Sequence, residues 1–193
     1  MPGQTFEIGK EKLLGEMYVR DLLQKILNYS SCDQTEVIFA NKNRCLTRYA
    51  NNAITQNISE KETAVRVRVI SDGRIGLSAC NDLREASLRR TVDSAIRNAR
   101  LLGADNSSLS LPLPSAYGKV CSYFANTAEY SAASRAKQVQ IICREAAGGG
   151  YKAGGFFSTE CLETAVANTH GLFAYYPQTV AEMNVFFTSR NGA

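Results

Sequence analysis

Between residues 63 and 70, Val65, Val67 and Val69 alternate with Arg66 and Arg68. Strand side chains project to opposite faces in turn, so the spacing predicts a half-buried strand, valines inward and arginines outward. Glu60 and Glu62 share the arginines' parity, so Arg66 and Arg68 are expected to pair with them or with cross-strand neighbours. Asp72-Gly73 has the residues of a type I′ hairpin turn, after which Ile75, Leu77 and Ala79 resume the alternation. Upstream, Val19, Leu22, Leu23, Ile26 and Leu27 recur at helical spacing, predicting an amphipathic helix over residues 17–28. Residues 35–40 (TEVIFA) predict a strand buried on both faces, 41–43 a turn, and 44–50 and 53–58 further strands. Asn51-Asn52 between the last two favours a turn or a bulge, since Asn tolerates positive φ.

Asp82 and Glu85 stand three apart, as in a capping box, before a helix carrying Leu88, Val92, Ala95, Ile96, Ala99 and Leu102, with Gly103 placed to end it. The first half therefore reads α-β-β-β-β-β-α, give or take one strand. Two helices on one face of a mostly antiparallel sheet would bury Leu23, Ile26, Val92 and Ile96 against the Val65 face. Residues 104–118 lose all period and turn to Ser, Pro and Gly, which predicts a linker or an extended crossing strap. Beyond it, residues 131–147 predict a second-half helix with Ala136, Val139, Ile142, Cys143 and Ala146 inward. Strands are expected at 152–159, 162–168, 172–176 and 179–188. The fold class is α+β, with domains expected at 1–103 and 119–193. Arg190-Asn191-Gly192 signals a hairpin whose return strand is not written, so the chain is expected to be the N-terminal part of a longer protein.

Composition narrows the classes. With 193 residues, 45% of them hydrophobic, the chain can bury a core, and no apolar run reaches membrane-helix length. The first dozen residues lack the apolar segment of a secretory signal, and the six cysteines, none closer than 13 positions, form no Cys-x-x-Cys motif. A cytoplasmic protein with reduced thiols is the expectation, without membrane association. The net charge of +4 falls entirely in residues 1–103. That asymmetry hints at an anionic partner but is weaker than the basic stripe of a nucleic-acid binder.

Candidate chemistry is sparse. His170 is the single histidine, beside Gly171, and reads as a turn residue. Glu160 and Glu163 are three apart, which on a strand puts them on opposite faces, so they read as solvated rather than as a catalytic pair. Gly148-Gly149-Gly150 and Gly154-Gly155 fit no phosphate-loop pattern and read as a helix stop and a close backbone approach. Arg90, Arg97 and Arg100 lack the interleaved aromatics of a stacking surface and read as a solvated helix face. The amide-rich stretch 51–57 could fix an extended peptide beside a strand edge, with Arg48, Asn52 and Gln56 as candidate peptide-binding residues. No catalytic residue is assigned.

The order of several short motifs resembles the N-terminal region of the TldD/PmbA family, also labelled modulators of DNA gyrase. They are RYANNAITQN at 48–57, VRVRV at 65–69, GRIG at 73–76, CNDL at 80–83, Ala153-Gly154, ANTHGL at 167–172, and Asn191-Gly192. The resemblance implies a metallopeptidase system, often of two related subunits, that trims peptides or degrades unfolded ones. It places the metal on a His-Glu-x-x-x-His helix downstream of this chain. It therefore implies no cofactor here, and zinc in the C-terminal part if the parent is the catalytic type. A homo- or hetero-dimer with a family-related subunit and a peptide substrate are the implied partners; nucleic acid is not expected. The rival expectations are a stand-alone peptide- or protein-binding module and, more weakly, a nucleic-acid-binding module.

Overall fold

The computed structural model describes residues 13–101 and 110–189. Five antiparallel strands form one sheet in the order β3-β2-β1-β4-β5: β1 Gln34–Ala50, β2 Ala53–Ser71, β3 Arg74–Cys80, β4 Lys152–Asn168 and β5 Phe173–Thr188. Helices α1 Glu16–Leu27 and α2 Glu85–Leu101 precede and follow the first three strands, and α3 Ala125–Ala128 and α4 Ala132–Gly148 precede the last two. The α+β class is thus shown, with three strands rather than five in the first half. β1 runs through the turn expected at Asn41-Lys42-Asn43 because it is the central strand, bonded to β2 on one side and to β4 on the other. β4 and β5 likewise each join two of the shorter strands expected from the sequence. The segments on either side of residues 104–118 share this one sheet through the β1–β4 pairing.

Both central hairpin turns use paired positive φ. Asn51 and Asn52 (50° and 61°) turn β1 into β2, and Asp72 and Gly73 (51° and 68°) turn β2 into β3. Asn51-Asn52 is therefore the hairpin tip itself, while the register shift lies just before it, between Arg48 and Tyr49.

All the main helices lie against one face. Odd-numbered β1 and β2 residues Val37, Phe39, Val65, Val67 and Val69 meet Leu23 and Ile26 of α1 and Leu88, Val92 and Ala95 of α2, as the strand and helix periods require. Ile96 joins that cluster only partly buried. Nearer the β1–β2 tip, α4 packs Val139, Cys143 and Ala146 on Tyr49 and Ala153. The α4 N-terminus is capped by Ser131, whose hydroxyl accepts from Ser134 N at 3.0 Å.

At α2 the cap is only half the predicted box. Asp82 accepts from Arg84 N (3.0 Å) and from the Ser87 hydroxyl (2.6 Å), whereas Glu85 turns outward to Lys25 and Arg89. The Arg84 side chain, with the Ser87 hydroxyl, holds the Asp82 carboxyl far below its ordinary range. A carboxylate with a lowered folded-state pKa stabilises above its unfolded value, and that contribution fades as pH falls below about 4. Thermal melts of Asp82→Asn are therefore expected to run below wild type near pH 7, the gap closing as pH drops from about 4 to about 2. An equal gap at both ends of that series would contradict this role. Gly103 and the hairpin signal at residues 190–192 lie outside the described residues.

Candidate functional site

Even-numbered residues of β1, of β2 from Gln56 onward and of β4 point away from the main helices, toward the sheet's other face. There Arg44 and Lys42 both reach Glu160, at 2.9 and 3.8 Å, and Arg68 pairs with Glu36 at 2.9 Å. Glu60 and Glu62 are not the partners of Arg66 and Arg68: β2 holds all four in one extended line, so Arg68 meets the strand beside it instead. Among the described residues Arg66 makes no ion pair. It lines, with Ile38, Arg68, Leu77 and Ala79, an open cavity of about 400 Å³.

The three sequence candidates separate. Arg48 and Gln56 are directly opposed across β1 and β2, both exposed. Asn52 sits at the hairpin tip and is consumed by the fold. Its Nδ2 donates to Tyr151 O (2.8 Å), its Oδ1 accepts from Ala153 N (2.6 Å), and its own N–H donates to Ala153 O (3.1 Å). Beside Gln56, β2 has an outer edge that β3 leaves bare: β3 pairs only with Val65 to Ser71, so residues 53–64 lack a neighbour on that side among the described strands. This edge is polar and carries Glu60, Lys61 and Glu62, the charges that discourage indiscriminate strand pairing.

The strap expected in residues 104–118 is described from residue 110 onward. Leu111 N donates to the Gln34 side chain (2.8 Å), and Asn168 Nδ2 donates to Pro112 O (2.7 Å). The chain then reaches β5, where Thr179 N donates to Ser122 O and the Ser122 hydroxyl donates to Pro177 O. Between strap and sheet lies a second cavity of about 400 Å³, lined by Tyr117, Val120, Val166, Ala174, Tyr176 and Pro177 among others. His170 is the turn residue expected of it: its Nδ1 lies 3.1 Å from Leu111 O and its N–H donates to Asn168 Oδ1.

Two buried charges escaped the sequence reading. Glu163, expected to be solvated, is fully buried and gathers four donors: Leu14 N, Gly15 N, Asn41 Nδ2 and the Tyr175 hydroxyl. Burial, reinforced by that bond to Glu163, pushes the Tyr175 phenol far above its ordinary value. Its signal was parity, because Glu163 shares the face of Ala165 and Ala167. Arg135, also buried, donates to Tyr130 O, Thr159 Oγ1 and Thr47 Oγ1. It stands four residues before Val139, on the inward face of α4. Glu160 and Glu163 do fall on opposite faces as expected, one in an ion pair and the other in the core. Gly154 lies under the Phe186 ring and Gly155 (φ 148°) lies against Asn184 O, which is the close approach expected there.

No three His, Cys, Asp or Glu side chains converge as metal ligands among the described residues. No helix among the described residues is long and apolar enough to cross a membrane.

Residues 35–99 match the family described as PmbA/TldA metallopeptidase domain 1. The chain's fold is similar to that of three solved structures. TldE from Thermococcus kodakarensis shares 19% identity at a TM-score of 0.79, over 89% of this chain and 39% of that one. A candidate modulator of DNA gyrase from Bacteroides thetaiotaomicron shares 16% at 0.81, over 92% and 42%. Another from Thermotoga maritima shares 11% at 0.71, over 90% and 44%. The chain thus spans about two fifths of the length of these proteins. No protein of curated function matches it.

Proposed function

We propose that this chain, which carries the first domain of the PmbA/TldD metallopeptidase family over residues 35–99, is the non-catalytic N-terminal region of a subunit acting in peptide maturation or degradation. In this reading it shapes the path by which peptide arrives and contributes contacts to a family-related subunit, as a homo- or hetero-dimer. The reaction belongs to a metal site elsewhere in the subunit or its partner.

The observation that supports this most is the pairing of Arg48 with Gln56 beside the bare edge of β2. A peptide laid along residues 53–64 would satisfy backbone N–H and C=O groups that no described strand meets. Its alternate side chains would point to the face of Arg48 and Gln56. Main-chain bonding of this kind accepts varied sequences, which suits a system that trims or degrades peptides.

Fluorescence anisotropy with labelled, extended, unstructured peptides tests it. Binding is expected without added metal and unchanged by a chelator. The double substitution Arg48→Ala and Gln56→Ala is expected to weaken it about tenfold, the loss of one or two hydrogen bonds involving a charge. Absence of binding, or equal binding by the variant, would sink the assignment of this edge. Metal-dependent cleavage by the pure 193-residue chain would overturn the non-catalytic reading.

A further inference from the structure

We infer that the bare edge of β2 selects peptides by charge. It takes extended segments that carry two basic side chains separated by one residue, with an acidic residue shortly before them. This deepens the peptide-path reading above and rests on it.

Glu60 and Glu62 lie on the same face as Arg48 and Gln56, in the stretch that β3 leaves bare. Arg44 and Lys42 stand directly opposite them on β1, where cross-strand ion pairs ordinarily form. Both cations turn instead to Glu160 of β4, at 2.9 and 3.8 Å. Glu60 and Glu62 are therefore exposed and enter no ion pair among the described residues. A strand laid along the edge sets two of its own residues directly opposite these carboxylates, on their free side. Those two residues are separated by one and share a face. Basic side chains there gain two cross-strand pairs, and acidic ones are repelled.

The bare stretch ends where Val65 pairs with Cys80, the last residue of β3. An added strand meets that end and must leave the sheet beside it. Arg66 is the next residue on the charged face, opposite Ala79 of β3. It lines the open cavity of about 400 Å³ together with Arg68 and Glu36. Arg68 is paired with Glu36 at 2.9 Å, yet its buried Nε meets no acceptor, and Arg66 has no ion pair among the described residues. Two guanidinium groups against one carboxylate leave the cavity positive and short of an acceptor, which a carboxylate from the peptide supplies. Every strand pair in the sheet is antiparallel, so the added strand is expected to run antiparallel to β2. That brings its N-terminal end to the cavity, and the acidic residue therefore precedes the basic pair. Main-chain bonds are indifferent to sequence; these charges rank the sequences that bind.

Competition anisotropy with unstructured peptides tests this. The first peptide places Glu three residues before Lys-Ala-Lys, and the second, of the same composition, places it three residues after. The third exchanges the charges, with Lys before Glu-Ala-Glu. The first is expected to bind about threefold tighter than the second and about tenfold tighter than the third. The chain's net charge of +4 by itself favours the third. Replacing both Glu60→Gln and Glu62→Gln should bring the first and third within about threefold while the thermal melt holds. Arg66→Gln should erase the advantage of the first over the second and leave the preference for the basic pair. Equal binding of the three peptides, or an order unmoved by these substitutions, would overturn the inference. If an uncharged peptide still binds and still needs Arg48 and Gln56, that failure leaves the edge itself standing; if no peptide binds, both readings fail.

Discussion

Glu163→Ala is expected to lower the unfolding free energy by about 3–5 kcal/mol, because it leaves several buried neutral donors without an acceptor. The carboxylate has no solvent exposure and accepts from Leu14 N at 2.6 Å, Gly15 N at 3.1 Å, Asn41 Nδ2 at 2.7 Å and the Tyr175 hydroxyl at 2.8 Å. Without it, four donors lose their acceptor, each unmet donor costing about 1–3 kcal/mol before relaxation. Two of those donors enter α1, so the loss should also loosen the packing of that helix on the sheet. Glu163→Gln is the sharper comparison. It keeps the shape but replaces one acceptor oxygen with an NH₂ group facing other donors, so it should also destabilise strongly. Urea unfolding followed by circular dichroism measures both. A Glu163→Gln variant as stable as wild type would mean that the four bonds add little beyond packing.

The second large effect is expected at Gly76. In β3 it lies where α2 crosses so closely that a Cβ would overlap the carbonyl oxygen of Ala95 and stand 2.6 Å from Ala99 N. Both neighbours are helix backbone, which a rotamer change cannot move aside. Gly76→Ala must push α2 from β3 and is expected to cost at least about 3 kcal/mol, the upper range of overpacking. Gly76→Val should cost more. Gly118→Ala is the control: nothing lies within 4 Å of its added Cβ, so its effect should stay within about 0.5 kcal/mol. Equal stability of the Gly76 and Gly118 variants would show that α2 is not seated as described.

These two residues mark the division between local and tertiary information. Gly76 stands in a clear alternating pattern, yet the chain around it says nothing of a helix carbonyl arriving from Ala95. On local pattern alone Glu163 reads as solvated, because an isolated glutamate in a strand usually is. Its burial follows from the odd parity it shares with Ala165 and Ala167, and from α1 laying Leu14 and Gly15 against it. Asn41-Lys42-Asn43 looks like a turn until β2 and β4 occupy both its sides; then Asn41 bonds Glu163, and Lys42 faces Glu160. At the candidate site, the residue types around Asn51 were legible. Which of them remains available was not, because Asn52 is tied up by Tyr151 and Ala153, about 100 positions away.

By itself, the sequence determined what neighbouring residues decide. The helix faces of Leu23, Ile26 and Val92, the valine face of β2 and the Asp72-Gly73 turn all follow from side-chain period and allowed φ. It also carried the family resemblance, in motifs that overlap the matched residues 35–99. Tertiary structure alone decided strand length, strand order and the fate of the polar residues. A backbone group or a carboxylate is satisfied by whatever partner folding brings beside it. For Glu163 and Asn52, that partner is distant in the chain.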